Sequence, residues 1–512
     1  MNYQPAAPKE ASAVILLDEN SRDVFLAQRN PQIAFLGGFH AFPGGKTDAA
    51  DAEIEIANCT DENLKKAIVA AVRETFEEIG VLLVRGGERL TGGQRLSLRD
   101  DLISGRFSFA EILQTWDLHI DGEDFHYTGF WTTPEFSPVR FRTSFFLARC
   151  PRKQKPEVFG EFVAGEFIAP EKALRRWKNS EILISPPVLL TLQTLAKEKF
   201  NGDEQSENES NFPNNPASDL RRLARKLLKQ SQAKNGKISY VNFHPFVSCF
   251  PVRTETLPPA THTNCFIAGG RRFVVIDPAS PFAEEQEALH AHIDSLIASG
   301  GEIEAIVLTH LHRDHVSGAL ALQKHLREKF SLRAPVAAHR LTAEALKGFV
   351  EVEKFIEDGE IIELEIDNEE TLELRALHTP GHARGHLCFY DEKRGFLFSG
   401  DNVVGAGSVL IAPPEGNMKD YLNSLERMKN LPNLRFLCGS HGAAVFDARG
   451  KIESYIAHRL EREKKILEVL ARGAKTPVEI VEQVYTDVAP ELRPLAEKSV
   501  AAHLEKIENE KR

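Results

Sequence analysis

The run Thr309-His310-Leu311-His312-Arg313-Asp314-His315 follows a short apolar stretch, Ala305–Leu308. An extended chain sends alternate residues to the same side, so His310, His312 and Asp314 converge beyond the end of such a strand and His315 turns in beside Asp314. Imidazole and carboxylate are ligands of borderline divalent ions such as Zn²⁺. Three later loops supply further candidates: His382 in Thr379-Pro380-Gly381-His382, Asp401 in Ser399-Gly400-Asp401, and His441 in Gly439-Ser440-His441-Gly442. Glycines beside these residues permit the tight backbone turns that aim a side chain at a metal. A single histidine of this kind is usually structural, but four segments with metal-ligand chemistry form a pattern. Metal held by such ligands acidifies a bound water for attack on a carbonyl or phosphoryl centre. Asp314 is expected to orient that water as well as to bind. His378 and His386 are expected to hydrogen-bond around the ligands.

A second concentration of chemistry lies in the first half. Glu74, Glu77 and Glu78, in Arg73-Glu74-Thr75-Phe76-Glu77-Glu78-Ile79-Gly80, stand at i, i+3 and i+4 and share one helix face. Crowded carboxylates repel unless a cation relieves them, and clustered oxygens suit Mg²⁺ or Mn²⁺, which bind diphosphates. Arg73 and Glu77 form an i,i+4 pair that steadies this face, and Gly80 fits a helix end. Phe42-Pro43-Gly44-Gly45-Lys46 precedes the helix.

The HxHxDH run, the TPGH loop, the SGD loop and the late GSHG, with Thr263-Asn264-Cys265 and Asp277-Pro278 before them, resemble in chain order the motif series of the metallo-β-lactamase superfamily. The resemblance implies an αββα sandwich with two Zn²⁺ (or Fe or Mn). His310, His312 and His382 would bind one metal, Asp314, His315 and His441 the other, with Asp401 bridging. Only 40 residues separate Asp401 from His441, too few for the extra cap of the superfamily's processing nucleases. The tail, with Tyr455-Ile456-Ala457-His458-Arg459, resembles a lactamase-β-like branch close to glyoxalase II that carries a winged-helix-like end. That branch includes thioesterase-like hydrolases and a single-strand RNA endonuclease. His458 and Arg459 are expected at exposed helix positions.

The first-half motif resembles the box of Nudix hydrolases. Gly45 and Arg73 are 28 residues apart, twice the family spacing. Asp51 stands at the acidic position and Thr75 replaces an aliphatic residue. An insertion after FPGGK, together with Phe35 to Phe42, Trp131-Thr132-Thr133-Pro134 and Arg140-Phe141-Arg142-Thr143-Ser144-Phe145-Phe146, resembles the coenzyme A-cleaving branch. The resemblance implies an α/β/α sandwich in which Glu74, Glu77 and Glu78 hold Mg²⁺ or Mn²⁺. One of these, with Glu74 and Glu78 foremost, or Glu161 or Glu166, activates water.

Elements to position these residues are legible. Ala13–Leu17, Val24–Ala27 and Thr143–Ala148 read as strands, and Leu64–Ile79 and Val188–Ala196 as helices. Residues 201–216, NGDEQSENESNFPNNP, contain no aliphatic residue and read as a linker. A basic amphipathic helix at Leu220–Lys229 is taken as part of that connection. Strands at Cys265–Ala268, Phe273–Ile276, Ala305–Leu308, Pro335–Ala338, Leu372–Ala376, Leu387–Phe389 and Phe396–Phe398 alternate with turns and with a helix at Glu284–Ile297, an α/β layered pattern. From Lys451 the pattern is helical, and Thr476, Pro477 and Glu479 fit a capping box. The expectation is an α/β multidomain chain: a Nudix-like domain at 1–200, a linker with a basic helix at 201–235, a metallo-β-lactamase domain at 236–447 and a helical winged-helix-like domain at 448–512.

The chain has 512 residues, too many for one core, with 42% hydrophobic and 27% charged residues and a net charge of −11. That charge disfavours broad attraction to nucleic acid or anionic membranes. Arg459, Arg462, Lys464 and Lys465 alternate with Glu461, Glu463 and Glu468, as on a solvated helix. The six cysteines are scattered and read as reduced thiols of a cytoplasmic protein. No signal peptide or membrane span is evident. These features favour a bifunctional hydrolase of a small molecule such as acyl-CoA, cut at a pyrophosphate in the first half and at an ester or thioester in the second. The alternative is an endoribonuclease with a regulatory or inactive Nudix module.

Overall fold

A computed structural model describes residues 5–33, 36–137, 139–198, 216–405, 407–486 and 488–511. Phe35 and the acidic stretch 201–215 lie outside the described residues. The chain divides into two compact units between Phe243 and His244.

The first unit is built on an eight-stranded mixed sheet. Its central strand, Lys9–Leu17, runs parallel to Phe141–Arg149 and antiparallel to Val24–Arg29. Alternation along a strand explains how both faces are buried. Val14, Leu16, Phe25 and Ala27 pack on one face with Ile68, Val72 and Phe76 of the helix Glu62–Ile79. Ile15, Leu17, Val24 and Leu26 pack on the other with Val188 and Leu192 of the helix Pro186–Lys197. The layers are therefore helix, sheet, helix. Asp61 caps the helix Glu62–Ile79, accepting from the Asn63 and Leu64 amides, and Gly80 ends it at φ 66°.

The basic helix departs from expectation. It runs Pro216–Ala233, and Leu220, Leu223 and Leu227 are buried in the core with Val188 and Leu192. Three leucines on one stripe of a helix bury more apolar area than a connecting segment can leave exposed. The Ser231 hydroxyl also donates to the Phe130 carbonyl and accepts its amide. This helix belongs to the first unit.

The second unit contains a seven-stranded and a five-stranded sheet. They meet through interleaved rings such as Phe266 and Phe398, 5.1 Å apart edge to face. The helix Met418–Lys429 covers the outer face of the five-stranded sheet, with Met418, Tyr421, Leu425 and Met428 packed on Leu377, Tyr390 and Leu397. Helices Ala283–Ala298 and Ala319–Phe330 flank the other sheet. The terminal helices Ala448–Ala471, Pro477–Val484 and Arg493–Lys511 enclose Ile466, Ile480, Val484 and Val500, and the Thr476–Glu479 capping box is formed. These helices have that core of their own, while Ala448, Ile452, Tyr455 and Ala502 also enter the core under Met418–Lys429.

Candidate metal centre

The strand Glu302–Val307 ends just before Thr309, and the one-turn helix Arg313–Val316 carries Asp314 and His315. His382 lies in the loop after Thr371–His378, Asp401 directly after Phe396–Gly400, and His441 after Phe436–Gly439. All seven expected residues meet at these strand ends. Ligand atoms of His310, His312, His382 and Asp401 lie within 4.8 Å of one another, and those of Asp314, His315 and His441 form a second such group.

Two glycines explain how the loops close. A Cβ on Gly381 (φ 134°) would stand 2.2 Å from the Tyr421 Cα, and one on Gly400 (φ 51°) 2.4 Å from His386 Nε2.

Hydrogen bonds fix the tautomers. His382 Nδ1 donates to the Leu410 carbonyl at 2.9 Å and His441 Nδ1 to the His262 carbonyl at 2.8 Å. The Thr309 hydroxyl donates to Asp277 Oδ2 at 2.6 Å and so accepts from His310 Nδ1 at 2.9 Å. His315 Nδ1 bonds the same Asp277 oxygen at 2.8 Å. Each of these rings thus points its Nε2 inward. His310 Nε2, His312 Nδ1 and His382 Nε2 stand 2.9 to 3.3 Å apart. A tetrahedron with Zn–N bonds near 2.05 Å has an edge of roughly 3.3 Å, so the donor set fits one divalent cation.

Asp401 faces both groups. Its Oδ2 lies 3.6 Å from His382 Nε2, while its Oδ1 lies 3.4 Å from His315 Nε2 and 3.3 Å from His441 Nε2. Asp314 approaches His315 at 4.0 Å and His441 at 3.8 Å. His315 Nε2 and Asp401 Oδ1 are buried without a hydrogen-bond partner among the described residues, a gap that a cation or a proton fills. Burial opposes charge on His315, yet the Asp401, Asp314 and Asp277 carboxylates hold its pKa well above the ordinary imidazole value. Burial and the surrounding histidines push His310 well below that value, and burial and His382 bring His312 to about 4. Burial opposes ionisation of Asp401, but His441 and His315 hold it well below the carboxylate range.

His386 accepts the Asp401 amide at 3.1 Å and bonds the Thr379 hydroxyl at 3.0 Å, steadying the shared carboxylate. His378 instead bonds the Arg384 carbonyl and stacks on His339 at 4.1 Å. Asp277 is the residue whose role sequence reading missed: the Asp-Pro after the strand Arg272–Ile276 was the available signal. His458 is exposed as expected, whereas Arg459 is 4% exposed and bonds the Val409 carbonyl. It faces inward because its helix packs on the loop after Asp401.

In the first unit, Arg73 holds Asp51 through two bonds of 2.9 and 3.0 Å and also reaches Glu74, Glu77 and the Lys46 carbonyl. Asp51 is therefore a buried partner of Arg73. The insertion closes onto the acidic helix through that ion pair. Glu78 accepts the Gly44 amide at 2.7 Å, and a Cβ on Gly45 would strike the Glu74 carboxylate at 2.3 Å. Burial raises Glu74 to about 7 and Glu78 to about 8. Among the described residues, Glu74, Glu77 and Glu78 do not form a cluster as tight as the two histidine groups. Arg73 draws Glu74 and Glu77 toward itself. Glu161 pairs with Arg29, and Glu166 with Arg176 on the helix Pro170–Lys178.

Residues 258–441 match the family model described as the metallo-beta-lactamase superfamily, and 476–512 match the beta-lactamase associated winged helix domain. A beta-lactamase-like protein 2 homolog of Caenorhabditis elegans is 30% identical over 48% of this chain and 78% of its own length. An atrochrysone carboxyl ACP thioesterase of Claviceps purpurea is 31% identical over 41% of this chain and 60% of its own length. A solved Nudix hydrolase of Alicyclobacillus acidocaldarius is 28% identical over 37% of this chain and 91% of its own, with a TM-score of 0.32.

Proposed function

The chain belongs to the metallo-β-lactamase superfamily and is a hydrolase with an associated winged-helix segment; from that premise we propose that its second unit cleaves a thioester or related ester. The observation that carries this reading is Asp401, whose two oxygens face two separate imidazole sets. His310, His312 and His382 would hold one cation, Asp314, His315 and His441 the other, with Asp401 shared. When bound, a pair of divalent cations there acidifies a common water and stabilises the oxyanion of the attacked carbonyl. Asp314, 4.0 Å from His315 and 3.8 Å from His441, keeps 16% of its side chain exposed, and its carboxylate would orient the attacking water as well as bind. The thioesterase name of the Claviceps relative supports a thioester as the bond cut. An acyl thioester incubated with the protein should release thiol, and Asp314→Ala should abolish the release. Undiminished release by that variant overturns the reading.

For the first unit, the proposal is pyrophosphate cleavage of a nucleoside diphosphate conjugate such as acyl-CoA with Mg²⁺ or Mn²⁺. Burial raises Glu74 to about 7 and Glu78 to about 8, so proton and divalent cation would compete for these carboxylates near neutrality. Gly45, pressed against Glu74, lets the FPGGK backbone approach the acidic helix. Metal-dependent release of 3′,5′-ADP from coenzyme A, lost in Glu77→Gln, tests it. No release with either metal overturns it.

A further inference from the structure

We propose that Arg459 and Tyr455, on the helix Ala448–Ala471, are positioning residues that clamp the segment after Asp401, so that the Leu410 carbonyl holds His382 with Nε2 turned inward. Among the described residues, the stretch between Gly400 and Met418 contains no helix or strand. Its backbone groups must therefore find partners elsewhere. The Tyr455 hydroxyl sits 3.2 Å from the Val404 carbonyl and 3.1 Å from that of Gly407, and accepts the Val404 amide at 3.4 Å. One turn further on, Arg459 Nη2 donates to the Val409 carbonyl and lies 3.5 Å from the Ser408 hydroxyl. The next carbonyl, Leu410, receives the His382 Nδ1 proton.

A second route leads to the same place. The Arg459 guanidinium lies over the Tyr421 ring at 5.5 Å, and the Tyr421 hydroxyl donates to the carbonyl of Asn402, the residue after Asp401. The Tyr421 backbone is what leaves no room for a side chain at Gly381, the neighbour of His382. Among the described residues no carboxylate forms an ion pair with Arg459. A buried cation is costly unless its hydrogen bonds repay it, and an apolar side chain would fill the space at less cost. Its work is the carbonyl and the ring, both of which lead to the loop that carries His382.

This inference rests on the reading of His382 as a metal ligand, and the test separates the two. Zinc affinity of the full-length protein is measured by chelator competition. Arg459→Met should weaken one of two zinc sites by about tenfold or more, and that site should be the one lost in His382→Ala and kept in Asp314→Ala. Arg459→Lys should restore part of the affinity, because an ammonium still donates to the Val409 carbonyl. Tyr455→Phe keeps the ring and loses only the hydroxyl, and it should show a smaller loss at the same site. Wild-type protein that takes up no zinc overturns both readings. Two wild-type sites whose affinities are unchanged in Arg459→Met and Tyr455→Phe overturn this one alone. If Arg459→Met does not fold, unchanged affinity in Tyr455→Phe decides against it.

Discussion

At the scale of single residues, the centre depends on side chains that never reach its middle. Asp277 accepts from the Thr309 amide and hydroxyl and pairs with His315, so one carboxylate orients His310 through Thr309 and His315 directly. Asp277→Asn is expected to weaken zinc binding by about 10- to 100-fold in chelator competition. His378, whose ring among the described residues bonds the Arg384 carbonyl and stacks on His339, should leave the affinity unchanged when replaced in His378→Ala. Glu78 gives a pH dependence of definite sign. Its carboxyl titrates near 4.5 when unfolded and near 8 in the folded chain because burial favours the neutral form. Between those values the folded state binds more protons, so without divalent cations stability should fall as pH rises. Each kcal/mol lost corresponds to roughly 2–4 °C in the melting temperature of the first unit. Glu78→Gln should flatten the trend in calorimetry, and a wild-type melting temperature that climbs from about pH 5 to pH 8 would contradict the assignment.

At the scale of elements, the helix Pro216–Ala233 shows how charge can mislead. Its arginines and lysines face solvent while Leu220, Leu223 and Leu227 close the second face of the sheet. Leu223 is fully buried. Leu223→Ala should cost the first unit about 2–5 kcal/mol, seen as an earlier first unfolding transition with zinc content unaltered. Loss of zinc in that variant would mean the units are not independent in stability.

At the scale of the whole molecule, the division after Phe243 predicts separable chemistry. A fragment of residues 244–512 should bind two zinc ions and release thiol at the rate of the intact chain. A fragment of residues 1–243 should retain any metal-dependent release of 3′,5′-ADP. If the 244–512 fragment folds but binds no zinc, the second unit is not the self-contained hydrolase that its ligand geometry suggests. No helix among the described residues is long and apolar enough to cross a membrane.

The sequence by itself singled out His310, His312, Asp314, His315, His382, Asp401 and His441 as candidate ligands, and the fold brings them together, because ligand chemistry is carried by residue type and by short spacings at strand ends. It also located about half of the strands among the described residues and the longest helices, since periodicity is a local property. The tertiary structure alone decided what faces what. That Asp401 divides its two oxygens between two imidazole sets, that Asp51 is held by Arg73, and that Arg459 turns inward all depend on segments far apart in the chain. Local pattern gives a helix its apolar stripe, but only packing shows which surface that stripe covers.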